Sequence, residues 1–306
     1  RYMDIFLQNI INALQWGSFY AVVSIGYSMV YGVLMLFNFA HGDIFMVGTY
    51  IGFGIATLLL ALFSAFMPGW MIFILVILIT MFLASFVGVF VEVVGYRPLR
   101  GAPRASAAIT GLMIGIIFET GNLIILGAQR FSFPPLIKSV TYNFGGIYVT
   151  NVKVLIIVAS LVMMAALHLF IKKTKWGMAM RAMSYDFQAV PLMGVSINII
   201  APMTFAIGAG LASVAGILYG QAYPVLDPYM GISLGWKAFV AAILGGRGSI
   251  MGAALAGYLL GFIEMFVPMF FPSTFRDLIA YSIILVILTF RPRGFFGMAH
   301  STQLRL

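Results

Sequence analysis

An all-α polytopic membrane fold, with about eight to ten transmembrane or broken helices, is what the chain predicts, and three observations carry that reading. Of its 306 residues, 62% are hydrophobic and only 8% charged, with a mean hydropathy of +1.08. Soluble domains carry about a quarter charged residues, so most of this chain has lipid as its solvent. Apolar runs recur with short breaks, and roughly 20 such residues span a hydrocarbon core as a helix. These runs do not alternate in polarity, whereas barrel strands of about ten residues do, which excludes a β-barrel.

Taken in order, the expected spans are Gln8–Met35, Ile44–Phe66, Trp70–Val94, Ala105–Leu126, Val154–Ile171, Ile197–Tyr219, Ile232–Leu244, Ile250–Met269 and Asp277–Phe290. The first lacks a compact basic region, a short apolar core and an A-x-A cleavage site, so it reads as an uncleaved span. The seventh is short and is expected to be half of a re-entrant or broken element. Basic residues set the sidedness. Arg97, Arg100 and Arg104 separate the third and fourth spans, and Lys172, Lys173, Lys175 and Arg181 separate the fifth and sixth. Arg247 lies in the GGRG break, and Arg291 and Arg293 follow the last span. All fall on one side if the N-terminus is outside and the C-terminus cytoplasmic. The other side collects the thinner set of Arg1, Arg130, Lys138, Lys153, Lys237 and Arg276. The net charge of +9 is therefore a topological signal and not a nucleic-acid footprint.

Two connections are longer than a turn requires. Gln129–Lys153 carries Pro134-Pro135 and Gly145-Gly146 among β-prone residues and predicts a small external hairpin or cap. A second external segment is Gln221–Gly235. On the basic side, Lys172–Gly194 is a polar island with an amphipathic stretch running to Gly194. A chain with no sizeable soluble domain that builds a helix there is presenting it to a partner.

Small residues four apart (Gly48/Gly52, Gly111/Gly115, Gly216/Gly220, Gly248/Gly252 and Gly257/Gly261) let helix backbones approach closely in lipid. Two spans begin at a Gly-rich polar break: Asn38-Phe39-Ala40-His41-Gly42-Asp43, and Gly245-Gly246-Arg247-Gly248-Ser249. Their parallel placement hints at an internal repeat. Interrupted helices leave backbone groups free, tolerable at membrane depth only beside protein or water. Either the breaks line a translocation route, with Asn38, His41, Gly42, Asp43, Gly246 and Gly248 on it, or they are short turns with Asp43 and Ser249 as helix N-caps. Three acids fall within spans, where charge is costly. Glu92 is a turn from Tyr96-Arg97 and reads as a structural pair. Glu119, beside Thr120 and Asn122, is the candidate polar group on the path, with a helix–helix hydrogen bond as the alternative account. Glu264 lies near an external end, open to solvation.

Enzyme motifs fail. No Gly-Lys dipeptide exists, so the chain has no P-loop. Gly231-Ile232-Ser233-Leu234-Gly235 matches G-x-S-x-G without a strand–turn–helix context or a triad partner. The three histidines, His41, His168 and His300, lack metal-ligand spacing, and no cysteine exists for a disulfide or a thiolate site.

FNFAHGDIFMVGTYIG, YRPLRGAPR, the stretch WGMAMRAMSYDFQAVPLMGVSINIIAPMTFAIGAGLASVAGIL, AILGGRGSIMGAALAGYLLG and the terminal FRPRGFFG resemble the permeases of branched-chain (hydrophobic) amino acid ABC importers. More narrowly, they resemble the LivH-type subunit. The resemblance runs from Gln8 to Gly297 and implies an ABC importer permease fold: one permease domain over 1–297, with a coupling loop at 172–196, an external segment at 129–153 and a tail at 298–306. It further implies a bacterial inner-membrane complex with a second, LivM-like permease, two cytoplasmic ATPases and a periplasmic binding protein. ATP and Mg would reside on the ATPases, with no cofactor on this chain. By the same resemblance Gly177, Arg181, Ala182, Asp186, Leu192, Met193 and Gly194 couple to an ATPase. Met178 replaces a position often basic in the family. Pro191 falls where a small helix-friendly residue is usual, and would shorten or kink the docking helix. Transport of branched-chain amino acids by alternating access is the expectation. Urea, short amides or other amino acids remain alternative cargoes, and a stand-alone ion-coupled carrier using Asp43 and Glu119 is the alternative mechanism.

Overall fold

The computed structural model describes residues 2–187, 189–246 and 248–296, so Arg1, Arg247 and the 298–306 tail lie outside the described residues. In order, the elements are α1 (Tyr2–Leu34), α2 (His41–Phe63), α3 (Gly69–Phe90), α4 (Arg104–Leu126), β1 (Phe131–Ser132), β2 (Thr141–Phe144), β3 (Ile147–Thr150), α5 (Asn151–Lys173), α6 (Lys175–Tyr185), α7 (Ile197–Ala222), β4 (Val225–Leu226), α8 (Met230–Gly245), α9 (Ile250–Phe270) and α10 (Arg276–Phe290). A π-helical turn, Val91–Tyr96, and a 3-10 turn, Arg97–Leu99, extend α3.

Eight helices among the described residues are long and apolar enough to cross a membrane. The one expected span outside these eight, the seventh, is α8, of 16 residues. At 1.5 Å per residue it covers about 24 Å, less than the ~30 Å hydrocarbon core. α1 runs through the centre, its Phe19, Tyr20, Val23 and Ile25 fully buried. The small-residue pair Gly257/Gly261 brings the α9 backbone against Ala21 and Gly17 of α1, an approach that side chains would block. α4 and α10 are peripheral and turn Ile117, Ile124 and Leu285 outward.

The expected hairpin is present. β2 and β3 pair antiparallel, Thr141 opposite Thr150, and turn at Gly145 and Gly146, whose φ of 62° and 102° suit glycine. Gln8 holds it to α1, accepting the Tyr148 N–H at 2.8 Å and donating to the Tyr148 carbonyl at 3.1 Å. β1 pairs with β4, joining the connection before α5 to the one after α7, and Arg130 meets Asp227 at 3.3 Å.

The two Gly-rich breaks differ. The chain leaves α1 at Leu34 and folds back, so that His41 packs on Gly26 and against the Tyr27 ring at 4.7 Å. Gly26 lies about two turns, ~12 Å, before the end of α1, so the first break re-enters the bundle. Its buried Asn38 is satisfied there, Oδ1 accepting from the Tyr96 hydroxyl at 3.1 Å. Asp43 is not an N-cap: Ala40 holds that position with no side-chain bond, and Asp43 sits inside the first turn of α2. The second break is a tight turn in which Ser249 does cap α9, accepting the Gly252 N–H at 3.1 Å. Phe295 and Phe296 of the terminal FRPRGFFG donate to the Leu244 and Gly245 carbonyls at 2.9 and 3.0 Å, satisfying the end of α8.

The acids sort differently from expectation in one case. Glu92 is the structural pair anticipated, bound by Arg97 at 3.1 Å and by Arg100, which also donates to Asn198 Oδ1 at 2.6 Å. Glu264, expected to be open to solvation, is instead only 2% exposed: it pairs with Lys237 at 2.9 Å and accepts the Tyr20 hydroxyl at 2.7 Å. Lys237 is correspondingly no sidedness marker, since it sits within α8 with 12% exposure and also reaches Asp277 at 2.9 Å. A buried carboxylate needs such a partner, and the apolar run around Lys237 concealed it.

Candidate functional site

Two places concentrate the expected site residues. The first is a cavity of about 260 Å³ where the start of α2 meets α4 and α8. Gly42 makes it possible. A Cβ there would stand 2.7 Å from both the Gly231 carbonyl oxygen and the Gly235 Cα, so the helices cross in backbone contact. The Gly42 N–H, free at a helix start, donates to the Tyr27 hydroxyl at 3.1 Å. The α4 wall is apolar, with Leu112, Met113 and Ile116, and the α8 wall is aromatic, with Trp236 and Phe239. Phe39 closes the aromatic side, its ring 5.0 Å from that of Phe239. Into this lining come Asp43 from α2 and Glu119 from α4.

Of the residues expected on a path, Gly42, Asp43 and Glu119 line this cavity. Asn38 and His41 are buried behind it and shape the re-entrant segment. Gly246 and Gly248 lie at the α8–α9 turn, where Gly248 packs on Gly32 with φ of 85° and Gly246 ends α8 with φ of 108°. Sequence reasoning missed Tyr27, the α4 wall and the α8 wall. A signal for α8 was available: Gly231 and Gly235 are four apart, the small-residue spacing noted in other spans, hidden inside the dismissed G-x-S-x-G match. That match lies in a continuous helix and forms no nucleophile turn.

The second place is the foot on the basic end. Thr174 caps α6 by accepting the Gly177 N–H at 3.0 Å. Met180 and Met183 bury one face of α6 with Val190 against Val33 of α1 and Ile200 of α7. Gly177 is buried where a Cβ would strike the Ile171 backbone, and Arg181 donates to the Ile171 carbonyl. These two residues thus tie α6 to the end of α5.

The helix does not run to Gly194 as expected. It ends at Tyr185; Asp186 then accepts the Ala189 N–H at 2.9 Å, and a separate 3-10 turn covers Val190–Met193. Pro191 therefore kinks nothing, since it occupies the start of that turn, where a missing N–H leaves no bond unmade. Gly194 ends the turn with φ of 80°. Ala182 is half-buried, whereas Leu192 and Met193 are 89% and 80% exposed, an apolar knob on the polar side of the molecule.

With this geometry in place, the comparisons with known proteins are specific. The family model described as branched-chain amino acid transport system, permease component, matches residues 9–288. The high-affinity branched-chain amino acid transport system permease protein BraD of Pseudomonas aeruginosa is 37% identical over 95% of this chain and 96% of its own. LivH of Escherichia coli K12, of the same description, is 34% identical over 95% and 96%. An autoinducer 2 import system permease protein, LsrC of Salmonella paratyphi B, is 28% identical over 40% of this chain and 37% of its own. No solved structure matches the chain. The chain belongs to the branched-chain amino acid transport system permease family.

Proposed function

We propose that this family member is the LivH-like half of an ATP-driven importer, carrying branched-chain amino acids inward across the bacterial inner membrane. A second, LivM-like permease would complete the route, a periplasmic binding protein would deliver cargo, and two cytoplasmic ATPases would hold ATP and Mg. The observation that carries this reading is the foot: a short helix buried on one face against α1 and α7, followed by the exposed pair Leu192–Met193. An apolar knob on a polar surface fits a groove in a partner, and a few buried apolar anchors supply most of the energy of such an interface.

Motion of an ATPase would enter at Leu192–Met193 and pass through Met180 and Met183 into α1 and α7, which pack on α2. Gly177 and Arg181 would make the foot move with α5, and Ala182, Asp186 and Gly194 would hold its two pieces in register. The start of α2 lines the cavity, so movement of α1 and α7 relative to α8 would open it to one side or the other. In this reading the foot and the C-terminus face the cytoplasm.

The presence of Asp43 and Glu119 in one cavity also favours a second reading, an ion-coupled carrier acting alone. Co-purification separates the two. Tagged chain expressed with its partners should retain the ATPases, and Leu192→Asp with Met193→Asp should release them. Retention unchanged by that double substitution would overturn the docking assignment.

A further inference from the structure

We propose that the Asp43–Glu119 side of the cavity receives the ammonium group of a zwitterionic amino acid, while the α4 and α8 walls take its aliphatic side chain. This deepens the importer reading and rests on it. Three independent features carry it.

First, Asp43 is nine-tenths buried, lines the cavity, and its Oδ1 has no hydrogen-bond partner. A buried carboxylate oxygen without a donor is costly, and a transient cationic donor removes that cost. Other acids embedded in this bundle are answered: Glu92 by two arginines, Glu264 by Lys237 and Tyr20. Among the described residues no Lys or Arg lines the cavity, so no resident cation answers Asp43 Oδ1.

Second, the space around Asp43 is specifically kept. A Cβ at Gly115 of α4 would fall 2.2 Å from Asp43 Oδ2, and one at Gly231 of α8 would fall 3.0 Å from Oδ1. Any side chain in either place would press on the carboxylate, so the two glycines let it stand between helices and face the opening.

Third, the remaining lining is chemically matched to the rest of the cargo. Leu112, Met113 and Ile116 are branched or flexible apolar groups opposite the aromatic faces of Trp236 and Phe239. A volume of about 260 Å³ falls just below the ~300–1,000 Å³ of pockets for drug-sized ligands, in proportion to one small amino acid. Aromatic faces also tolerate a passing ammonium group. The site is weak by construction, because two carboxyls and a few apolar contacts offer no full enclosure. A route that must release its cargo needs that weakness.

The test uses the whole reconstituted transporter with a single cysteine, Met113→Cys, in a chain that otherwise has none. Isopentylamine, which keeps the ammonium and branched chain of leucine, should slow maleimide labelling of this cysteine. The matched acid, 4-methylpentanoate, should not. Glu119→Gln and, separately, Gly115→Ala should weaken protection by the amine about 10- to 100-fold, the range for losing a hydrogen bond to a charged group, and Glu119→Asp should restore part of it. Equal protection by amine and acid, or protection unchanged in Glu119→Gln, would overturn the proposal. Leucine uptake by the reconstituted transporter without any substitution is measured alongside: its absence would refute the importer reading, while the labelling pattern still decides the ammonium site.

Discussion

The buried Lys237–Glu264 pair makes the sharpest stability prediction. Lys237 Nζ lies 2.9 Å from Glu264 Oε1 and 2.9 Å from Asp277 Oδ1, and Glu264 also holds the Tyr20 hydroxyl at 2.7 Å. The network ties α8, the wall of the cavity, to α1, α9 and α10. Removing one partner of a buried pair costs about 3–5 kcal/mol, because the other charge is stranded. Lys237→Met strands Glu264, which keeps only Tyr20. Glu264→Gln strands less, because Lys237 retains Asp277, which is 59% exposed and well hydrated. The expected order is therefore Lys237→Met worse than Glu264→Gln. Replacing both, Lys237→Met with Glu264→Leu, should recover to within about 1–2 kcal/mol of the parent, since an apolar pair of similar volume leaves no charge behind. At roughly 2 °C per kcal/mol for large chains, Lys237→Met should lower the unfolding midpoint by about 6–10 °C. Thermal unfolding of the four proteins in detergent, followed by size exclusion, reads this directly. A double variant as unstable as the sum of the singles would refute the reasoning, because it would mean that the groups act independently.

Gly42→Ala should displace α8, since its Cβ would meet only backbone atoms at 2.7 Å; overpacking of this kind costs about 1–3 kcal/mol, and ATP-dependent uptake should fall well below parent. Gly54→Ala, in the same helix with open space around it, should leave uptake and unfolding unchanged and serves as the control. Leu192→Asp should lower ATPase retention by roughly 10-fold or more, in the range of an interface anchor, without changing the unfolding midpoint by more than about 1 °C, because the side chain is exposed. Arg181→Glu should also uncouple, but by freeing α6 from the Ile171 carbonyl, so faster proteolysis within 172–186 should accompany the loss; uncoupling without it would mean that Arg181 acts by direct contact.

How far the residues alone reach depends on the interaction involved. Span positions were legible because lipid demands length and apolarity from each helix separately. The hairpin was legible because Gly145-Gly146 states its turn locally. The Glu92 pair was legible too, since Arg97 is a turn away along the same segment. Glu264 was not, because its partner Lys237 sits 27 residues earlier on another helix, and nothing local announces the meeting. The end of α6 at Tyr185 escaped for a related reason: Met180 and Met183 bury that face against α1 and α7, and Asp186 ends the helix through its bond to Ala189. Asp43 and Glu119 were each singled out for their chemistry, yet their sharing of one cavity depends on the re-entrant path of residues 35–40, which is a property of the packed bundle.

The central claim, that this permease works only as part of an ATP-driven importer of branched-chain amino acids, is tested most directly by leucine uptake into proteoliposomes. The complete assembly with enclosed ATP and Mg and external binding protein should accumulate leucine, and the chain alone should not, with or without an ion gradient. Accumulation by the chain alone under a proton or sodium gradient, or none by the complete assembly with ATP, would contradict it.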